Sequence, residues 1–172
     1  MNRDQLIDVI KRVDGVVPEE YVVVGAGGTS LSLQGIKEQT RDIDFIVERG
    51  NIPELLDAFE KVGVTELEVS GPGFGFGTVM PNDYVRRAVD CGTYGTITIM
   101  AMGLVDVIIT KAGRYYQRDR EDIELCKRSG ITLDVVLQRL RDYTIERDER
   151  DNVKSALIEV FGALPRDMDG VL

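Results

Sequence analysis

The sequence predicts one α/β (α+β) domain, in which a small mixed sheet carries helices largely on one face and C-terminal helices follow. Short apolar runs typical of strands alternate with helical segments up to about residue 125, and only helical segments come after them. A length of 172 residues suits one domain with a sizeable core. No linker or internal repeat divides the chain, so two independent domains are not expected.

The N-terminal half is predicted from its apolar spacing and its turn residues. Apolar residues recur at helical spacing between Leu6 and Val13, which predicts a first helix. A Gly-Gly pair precedes a short helix that ends near Gly35, and Pro53 is tolerated in the first turn of a later helix. The predicted helices span 2–13, 29–34 and 52–62, and the predicted strands span 21–24 and 43–47.

The C-terminal half changes from strands to helices. Segment 70–77 is so rich in glycine and proline that it predicts a flexible loop or an irregular hairpin. We therefore divide the chain into an α/β core with its N-terminal helix, residues 1–128, and a C-terminal helical extension packed on it, residues 129–172. Strands are predicted over 65–69 and 96–100, and helices over 104–116, 119–127, 133–140 and 147–161.

Charge and composition narrow the functional class. The net charge of −9 argues against a broad grip on nucleic-acid backbone, which relies on basic surface. The chain has no histidine, which excludes a Ser-His-Asp triad, a histidine base and a histidine-ligated zinc site. Cys91 and Cys126 fit no CxxC pattern and are expected to be buried thiols. No apolar run approaches the roughly 18 residues of a membrane span, so we expect a cytoplasmic protein.

Two features between residues 24 and 47 carry the most chemical information. Gly27 and Gly28 follow an apolar strand, and a tight glycine turn lets backbone N–H groups approach phosphates closely. Asp42 and Asp44 open the next strand and point to one face of it, where they can share a hard cation such as Mg²⁺. At a separation of ~4 Å the two carboxylates repel by about 4 kcal/mol at an effective dielectric of 20, which a bound cation relieves. Together the two features predict a site for a nucleoside triphosphate and its metal.

Two other interpretations of this segment remain open, a dinucleotide-binding turn and a purely structural role, whereas a Walker A loop is excluded. A dinucleotide-binding turn also has glycines after a strand, but its ribose-binding acid ends the second strand, whereas Asp42 and Asp44 begin it. A Walker A loop lacks its Gly-Lys-Ser/Thr here. In a purely structural interpretation Asp42 caps a turn and Asp44 pairs with a neighbouring arginine.

With those residues in view, the segment GGTSLSLQG…TRDIDF resembles the nucleotidyltransferase superfamily of the DNA-polymerase-β type. That superfamily places Gly-Gly or Gly-Ser at a strand end and Asp-x-Asp in the next strand. The sequence of this segment is most similar to the AbiEii toxin-like and minimal nucleotidyltransferase branches. The resemblance implies the nucleotidyltransferase fold, Mg²⁺ or Mn²⁺ held by Asp42 and Asp44, and a nucleotide bound at the turn. The expected nucleotide-binding residues are Gly27, Gly28, Thr29 and Ser30.

A second group of charged residues lies where two helices are predicted to meet. Lys111, Arg114 and Arg118 are spaced so that they can fall near one face of a helix that runs into a turn. Asp119 suits the N-cap of the next helix. A capped, salt-bridged helix pair explains the pattern without function. AbiEii-like proteins carry a similar Lys…Arg-Asp-x-x-Asp helix, which implies that Lys111 contacts phosphate or an acidic partner and that Asp119 holds cations or orients the substrate hydroxyl. Asp122 is expected to fix the helix pair.

The resemblance implies transfer of a nucleoside monophosphate from a nucleoside triphosphate to a hydroxyl. The expected acceptors are a tRNA 3′ end, a tyrosine of a partner toxin, or a small molecule, and no membrane partner is expected. Many members of the superfamily place a third metal-binding carboxylate on a later strand, for which Glu68, Asp90 and Asp119 are the candidates. If the third acid is missing, the protein is a catalytically weak nucleotide-binding or antitoxin-like module of a toxin–antitoxin system. Tyr115 and Tyr116 are candidates for stacking a base or for packing on the helices.

Overall fold

The computed structural model describes residues 1–75, 78–162 and 164–165. In this part of the chain, helices and strands alternate up to residue 70, further strands follow up to residue 101, and four helices come last. The helices are α1 (Arg3–Asp14), α2 (Gly27–Leu33), α3 (Ile52–Lys61), α4 (Leu104–Arg114), α5 (Gln117–Arg128), α6 (Leu133–Leu140) and α7 (Arg147–Phe161). The strands are β1 (Tyr21–Gly25), β2 (Ile43–Arg49), β3 (Leu67–Ser70), β4 (Phe74–Gly75), β5 (Thr78–Val79), β6 (Val89–Tyr94) and β7 (Ile97–Ala101). The mixed α/β class that the sequence predicts is confirmed.

Five strands form one mixed sheet in the order β3-β2-β1-β7-β6. The central strand β1 runs antiparallel to β2 and parallel to β7, and β3 runs parallel to β2. β6 closes the other edge as the antiparallel partner of β7. β4 and β5 form a separate two-stranded hairpin. β3 and β6 therefore lie at opposite edges of the sheet, which decides which acidic residues can meet.

The two faces of the sheet are packed by different helices. Tyr21, Phe45 and Ile99 lie on one face and pack with the apolar residues of α1 and α3. Val24 and Ile46, which point the other way, pack into a second core built by α4, α5, α6 and α7. Asp44 lies on the same side of β2 as Ile46, next to this second core. The acidic residue is therefore placed at the border between the sheet and the helical layer.

The C-terminal helices share their core with the helices that precede them. The second core combines residues of α4 and α5 with residues of α6 and α7. A buried polar contact also joins α6 to α4, since Arg139 Nε donates to Asp106 Oδ1 over 2.7 Å and the hydroxyl of Tyr143 donates to the same oxygen over 2.9 Å. The proposed boundary at residue 128 stays a prediction, and part of the extension, residues 163 and 166–172, lies outside the described residues.

The predicted elements are found within a few residues, with two differences that matter. β6 was not predicted, because its residues VDCGTY are polar and lie at a sheet edge where little of them is buried. The helix predicted over 104–116 ends at Arg114, because Tyr115 takes a left-handed backbone conformation with φ of 40°. Within the glycine-rich segment 70–77 the structure has the short strand β4, and residues 76 and 77 lie outside the described residues. Among the helices described, the fifteen-residue α7 is the longest, and none combines the length and apolar character needed to cross a membrane.

Candidate functional site

A cleft lies between the start of β2, the loop that precedes it, and the junction of α4 with α5. Its volume is about 630 Å³, which is within the range of small-molecule sites. One side carries Asp42, Asp44 and Glu68, which we call the acidic wall. The opposite side carries a group of paired charges that we call the buried ion cluster. The lining residues of that cluster are Lys37, Lys111, Arg114 and Asp122, and Asp119 lies directly behind them.

The backbone of the Asp-Ile-Asp segment is held by hydrogen bonds from α2. The Thr29 hydroxyl donates to the Asp42 carbonyl over 3.1 Å and accepts from the Asp44 N–H over 2.9 Å. The Thr40 hydroxyl donates to the same Asp42 carbonyl over 3.0 Å, and the Ala26 N–H donates to the Asp44 carbonyl over 2.9 Å. The glycine turn and the carboxylate pair are thus one structural unit, as their joint occurrence in the sequence suggested.

The two glycines make room for neighbouring side chains. Gly27 has φ of +48°, and a Cβ added there would lie 3.1 Å from Asp44 Oδ2, so the carboxylate rests against the turn. A Cβ at Gly28 would lie 2.7 Å from the Thr40 hydroxyl oxygen. Any larger residue at either position would push on the elements that hold the acidic wall.

Thr29 and Ser30 do not reach the cleft with their side chains. Both are fully buried, and Ser30 donates its hydroxyl to the Met102 carbonyl over 2.7 Å while Thr29 holds the Asp42–Asp44 backbone. Their contribution to a nucleotide site, if the predicted assignment holds, is to position the turn. Of the four predicted turn residues, only Gly28 lines the cleft.

Glu68 completes the acidic wall through the register of the sheet. Asp44 of β2 lies directly beside Glu68 of the parallel strand β3, so their side chains point to the same face. Burial raises the pKa of Asp44 to about 6, with repulsion from Glu68 and then from Asp42 as further causes. Arg114 and Lys111 oppose this shift without cancelling it. The cations near Asp44 therefore do not offset its burial and the repulsion from its acidic neighbours.

The other two candidates for a third carboxylate are placed elsewhere. Asp90 lies on β6 at the opposite edge of the sheet, where its Oδ1 accepts from the Gly92 N–H over 2.8 Å. Asp119 is fully buried among cations. In the described part of the chain, no three carboxylates or thiols stand close enough together to hold a metal ion by themselves. Of the three candidates, Glu68 is therefore the one that lies beside Asp42 and Asp44 in the cleft, but the acidic wall is not a closed metal cage.

The buried ion cluster is a chain of alternating charges. Lys111 Nζ contacts Asp119 Oδ1 and Asp122 Oδ2, each over 2.8 Å, and all three side chains are almost fully buried. Lys37 Nζ contacts Asp122 Oδ1 over 2.7 Å, and Arg114 donates to both oxygens of Asp119 over 3.1 Å. In the structure Lys111 is paired with carboxylates of its own chain, and its expected contact with phosphate or an acidic partner stays a prediction. Three cations face two carboxylates here, which leaves one positive charge in excess beside the cleft.

Asp119 is not the N-cap residue of α5 that its position in the sequence suggested, although its side chain contacts the N-cap backbone. The helix begins two residues earlier, so Asp119 is its third residue, and its Oδ2 accepts from the Tyr116 N–H over 3.0 Å. Burial alone would raise the pKa of Asp119, but the hydrogen bond from Lys111 and the charges of Lys111 and Arg114 overcome it and hold that pKa below its usual value. The carboxylate is thus ionised and already engaged, which suits it to position the helix junction. Asp122 joins Lys37 to Lys111 and ties the loop before β2 to α4 and α5.

The rim of the cleft is formed by the first turn of α5. Arg118 lies 3.8 Å from Asp42 Oδ2, and both side chains are more than half exposed. Tyr116 also lines the cleft and is 61% exposed. The structure therefore brings Asp42, Asp44, Lys111 and Gly28 to one cleft. It also places Arg114 there, and it adds Lys37, which the sequence did not single out because only the packing of the loop against the helices brings it to the cleft.

A glycine turn packed against an Asp-x-Asp strand, in a small mixed sheet with a cleft at that point, defines a nucleotidyltransferase-like domain. Over residues 4–160 the chain matches the family described as "Nucleotidyltransferase of unknown function (DUF6036)", and it belongs to that family. The match covers both the α/β part and the C-terminal helices. No curated protein and no solved structure matches the chain.

Proposed function

We propose that this protein transfers a nucleoside monophosphate from a nucleoside triphosphate to a hydroxyl group and releases pyrophosphate. The observation that carries the proposal is the opposition of charges across one cleft. On one side Asp44, whose pKa is raised to about 6 by burial and then by repulsion from Glu68 and Asp42, lies among carboxylates, and on the other side the cations of the ion cluster outnumber its carboxylates. A metal–triphosphate complex carries both signs of charge and satisfies both walls.

The donor set of the acidic wall fits Mg²⁺ or Mn²⁺. Mg²⁺ is usually held by one or two carboxylates, with waters and substrate phosphates as its other ligands, so a cage of three protein ligands is not required. Asp42 and Asp44 are the residues proposed to hold the ion, and Glu68 lies beside them. When bound there, the metal supplies charge neutralisation for the triphosphate and lowers the pKa of an attacking hydroxyl.

The residues of the chain have distinct roles in this reaction. Lys37, Arg114 and Arg118 face the phosphates and stabilise the negative charge of the departing pyrophosphate. The acceptor oxygen forms a bond to the α-phosphorus, and the bond from that phosphorus to the α–β bridging oxygen breaks, with its electron pair leaving on pyrophosphate. Glu68 is exposed at the cleft and accepts the proton that the acceptor hydroxyl loses. Lys111 and Asp119 position the basic side.

The acceptor is proposed to be a protein hydroxyl, such as a tyrosine of a partner toxin, or a small molecule. A tRNA 3′ end is the alternative. The net charge of −9 disfavours a long contact with nucleic-acid backbone, although the cations at the cleft can still receive a single terminus.

Binding is tested first, by thermal unfolding with each of the four ribonucleoside triphosphates in Mg²⁺ or in chelator. We expect a rise in melting temperature that needs both triphosphate and metal and that is lost in the double variant Asp42→Asn/Asp44→Asn. Asp57→Asn serves as the control, because this residue lies on α3 in an exposed ion pair with Lys61. If no triphosphate stabilises the wild-type protein, the nucleotide proposal is wrong.

A catalytically weak binding or antitoxin-like module is the second candidate. It is favoured by the absence of a three-carboxylate cluster among the described residues and by the engagement of Asp119 in ion pairs. Incubation with labelled triphosphates, the protein itself and candidate acceptors separates the two. Metal-dependent binding without pyrophosphate release for any acceptor identifies the module, whereas stoichiometric labelling of an acceptor identifies the transferase.

A further inference from the structure

One aromatic side chain, Tyr116, lines the cleft in the described part of the chain. It is 61% exposed, the highest value among the large apolar side chains that the structure describes as exposed. Its ring is therefore accessible from the cleft, and a ligand bound there can bury apolar surface against it. It stands at the rim beside Arg118, which reaches the carboxylate of Asp42.

The backbone of Tyr116 is held firmly from both sides. Its N–H donates to Asp119 Oδ2 over 3.0 Å, and its carbonyl accepts from the Asp119 N–H over 2.8 Å. Asp119 is itself fixed by Lys111 and Arg114 within the buried ion cluster. The ring is thus presented by a rigid helix start instead of a loose loop, which lowers the entropy lost when a ligand is bound.

The neighbouring tyrosine has a different partner. Tyr115 takes the left-handed conformation that ends α4, and its hydroxyl donates to Glu159 on α7. Burial and this contact with Glu159 raise the pKa of Tyr115 to about 12. The left-handed conformation at Tyr115 therefore directs this tyrosine towards α7, while Tyr116 lies at the cleft.

We propose that Tyr116 is the stacking platform for the base of the nucleotide in this cleft, an inference that rests on the proposed function. In the proposed function the acidic wall binds the metal and the ion cluster binds the phosphates, but neither offers a flat apolar surface to a base. A tyrosine ring does, and every base has a face that can stack on it. Because stacking reads no hydrogen-bond pattern, the platform accepts all four bases and favours the larger purines.

Isothermal titration in Mg²⁺ with ATP, UTP and inorganic tripolyphosphate tests the platform in wild type, Tyr116→Phe and Tyr116→Ala. The phenylalanine variant keeps the ring and should bind all three as the wild type does. The alanine variant should bind ATP about 5- to 100-fold more weakly than the wild type. Its affinity for UTP should fall by a smaller factor, and its affinity for tripolyphosphate should be unchanged. The melting temperature of each variant should equal that of the wild type, because the substituted side chain is exposed.

The outcomes separate this inference from the function on which it rests. If tripolyphosphate binds but Tyr116→Ala leaves the affinity for ATP unchanged, or weakens both ligands equally, the platform is wrong and the phosphate site stands. If neither ATP nor tripolyphosphate binds the wild type, the proposed function fails and the platform fails with it. Mass spectrometry after incubation with ATP adds one more outcome, since a nucleoside monophosphate attached to the Tyr116 oxygen would make this residue an acceptor and overturn the platform.

Discussion

The acidic wall and the buried ion cluster face each other across the cleft, and both are built from carboxylates and cations. In the cluster every buried charge has a partner within about 3 Å, so that Asp119 keeps a pKa below its usual value although it is fully buried. In the acidic wall Asp44 lies in register with Glu68, and burial together with like charge raises its pKa to about 6. The same residue type is thus stabilised as an anion on one side and destabilised on the other.

This difference separates structural from functional charge. Compensated buried charges fix the geometry of a junction and are costly to disturb. Uncompensated carboxylates at an open cleft reduce the stability of the free protein and are expected where a cation binds. Substitutions on the two sides should therefore change stability in opposite directions.

The largest effect is expected at the centre of the ion cluster. Lys111→Met leaves Asp119 and Asp122 with one cation each in a buried setting, and should lower the free energy of unfolding by about 3 to 5 kcal/mol. Urea unfolding at pH 7.5 measures it. Lys61→Met, which breaks an exposed ion pair with Asp57, should stay within about 0.5 kcal/mol of wild type. Equal effects for the two variants would show that the cluster is not a stabilising unit.

An opposite effect is expected at the acidic wall. Asp44→Asn should raise the free energy of unfolding in chelator by about 1 to 3 kcal/mol at pH 7.5. Because the folded-state pKa is about 6 and the ordinary value is 3.8, Asp44 is protonated in both the folded and the unfolded wild type below pH 4, and the wild type loses stability as the pH rises from about 4 through 6. The gain of the variant should therefore vanish near pH 4. Thermal unfolding from pH 4 to 8 measures this, and a destabilised variant at pH 7.5 would contradict the assignment of uncompensated charge.

Glu68→Gln tests how much of the rise in the pKa of Asp44 comes from the carboxylate on the neighbouring strand β3. With one repulsion removed, the pKa of Asp44 should fall below 6, and burial and Asp42 should still keep it above 3.8. The gain in stability should be below about 1 kcal/mol, because Glu68 is exposed. Carboxyl NMR titration measures the pKa. Asp90→Asn is the matched control at the opposite sheet edge and should leave that pKa unchanged.

The smallest change in stability is expected at Arg118, the residue of α5 that contacts the acidic wall. Arg118→Ala breaks an exposed 3.8 Å contact with Asp42 and should alter the free energy of unfolding by no more than about 0.5 kcal/mol. If Arg118 faces the phosphates, the same variant should weaken Mg²⁺–tripolyphosphate binding several-fold. Arg128→Ala, at the other end of α5, should change neither quantity. Unchanged binding in Arg118→Ala would remove this residue from the proposed phosphate site.

Most of the fold and one side of the site could be predicted from local patterns. The helix at the N-terminus and the last two helices follow from apolar spacing, and the strand that carries Asp44 follows from its apolar residues. β6 could not be predicted, because an exposed edge strand has no apolar pattern to mark it. The end of α4 was predicted two residues too late, because nothing in the local sequence indicates that Tyr115 takes a left-handed conformation.

The sequence by itself determined the glycine turn, the Asp-x-Asp strand and the membership of both in one chemical unit, because each depends on a spacing of a few residues. Only the tertiary structure decided that Glu68 and not Asp90 stands beside Asp44, since this depends on which strands are neighbours in the sheet. It also decided that Lys111 and Asp119 are partners within a buried cluster and that Tyr116 faces the cleft. These placements depend on how distant segments pack, and a local pattern of residues contains no information about that packing.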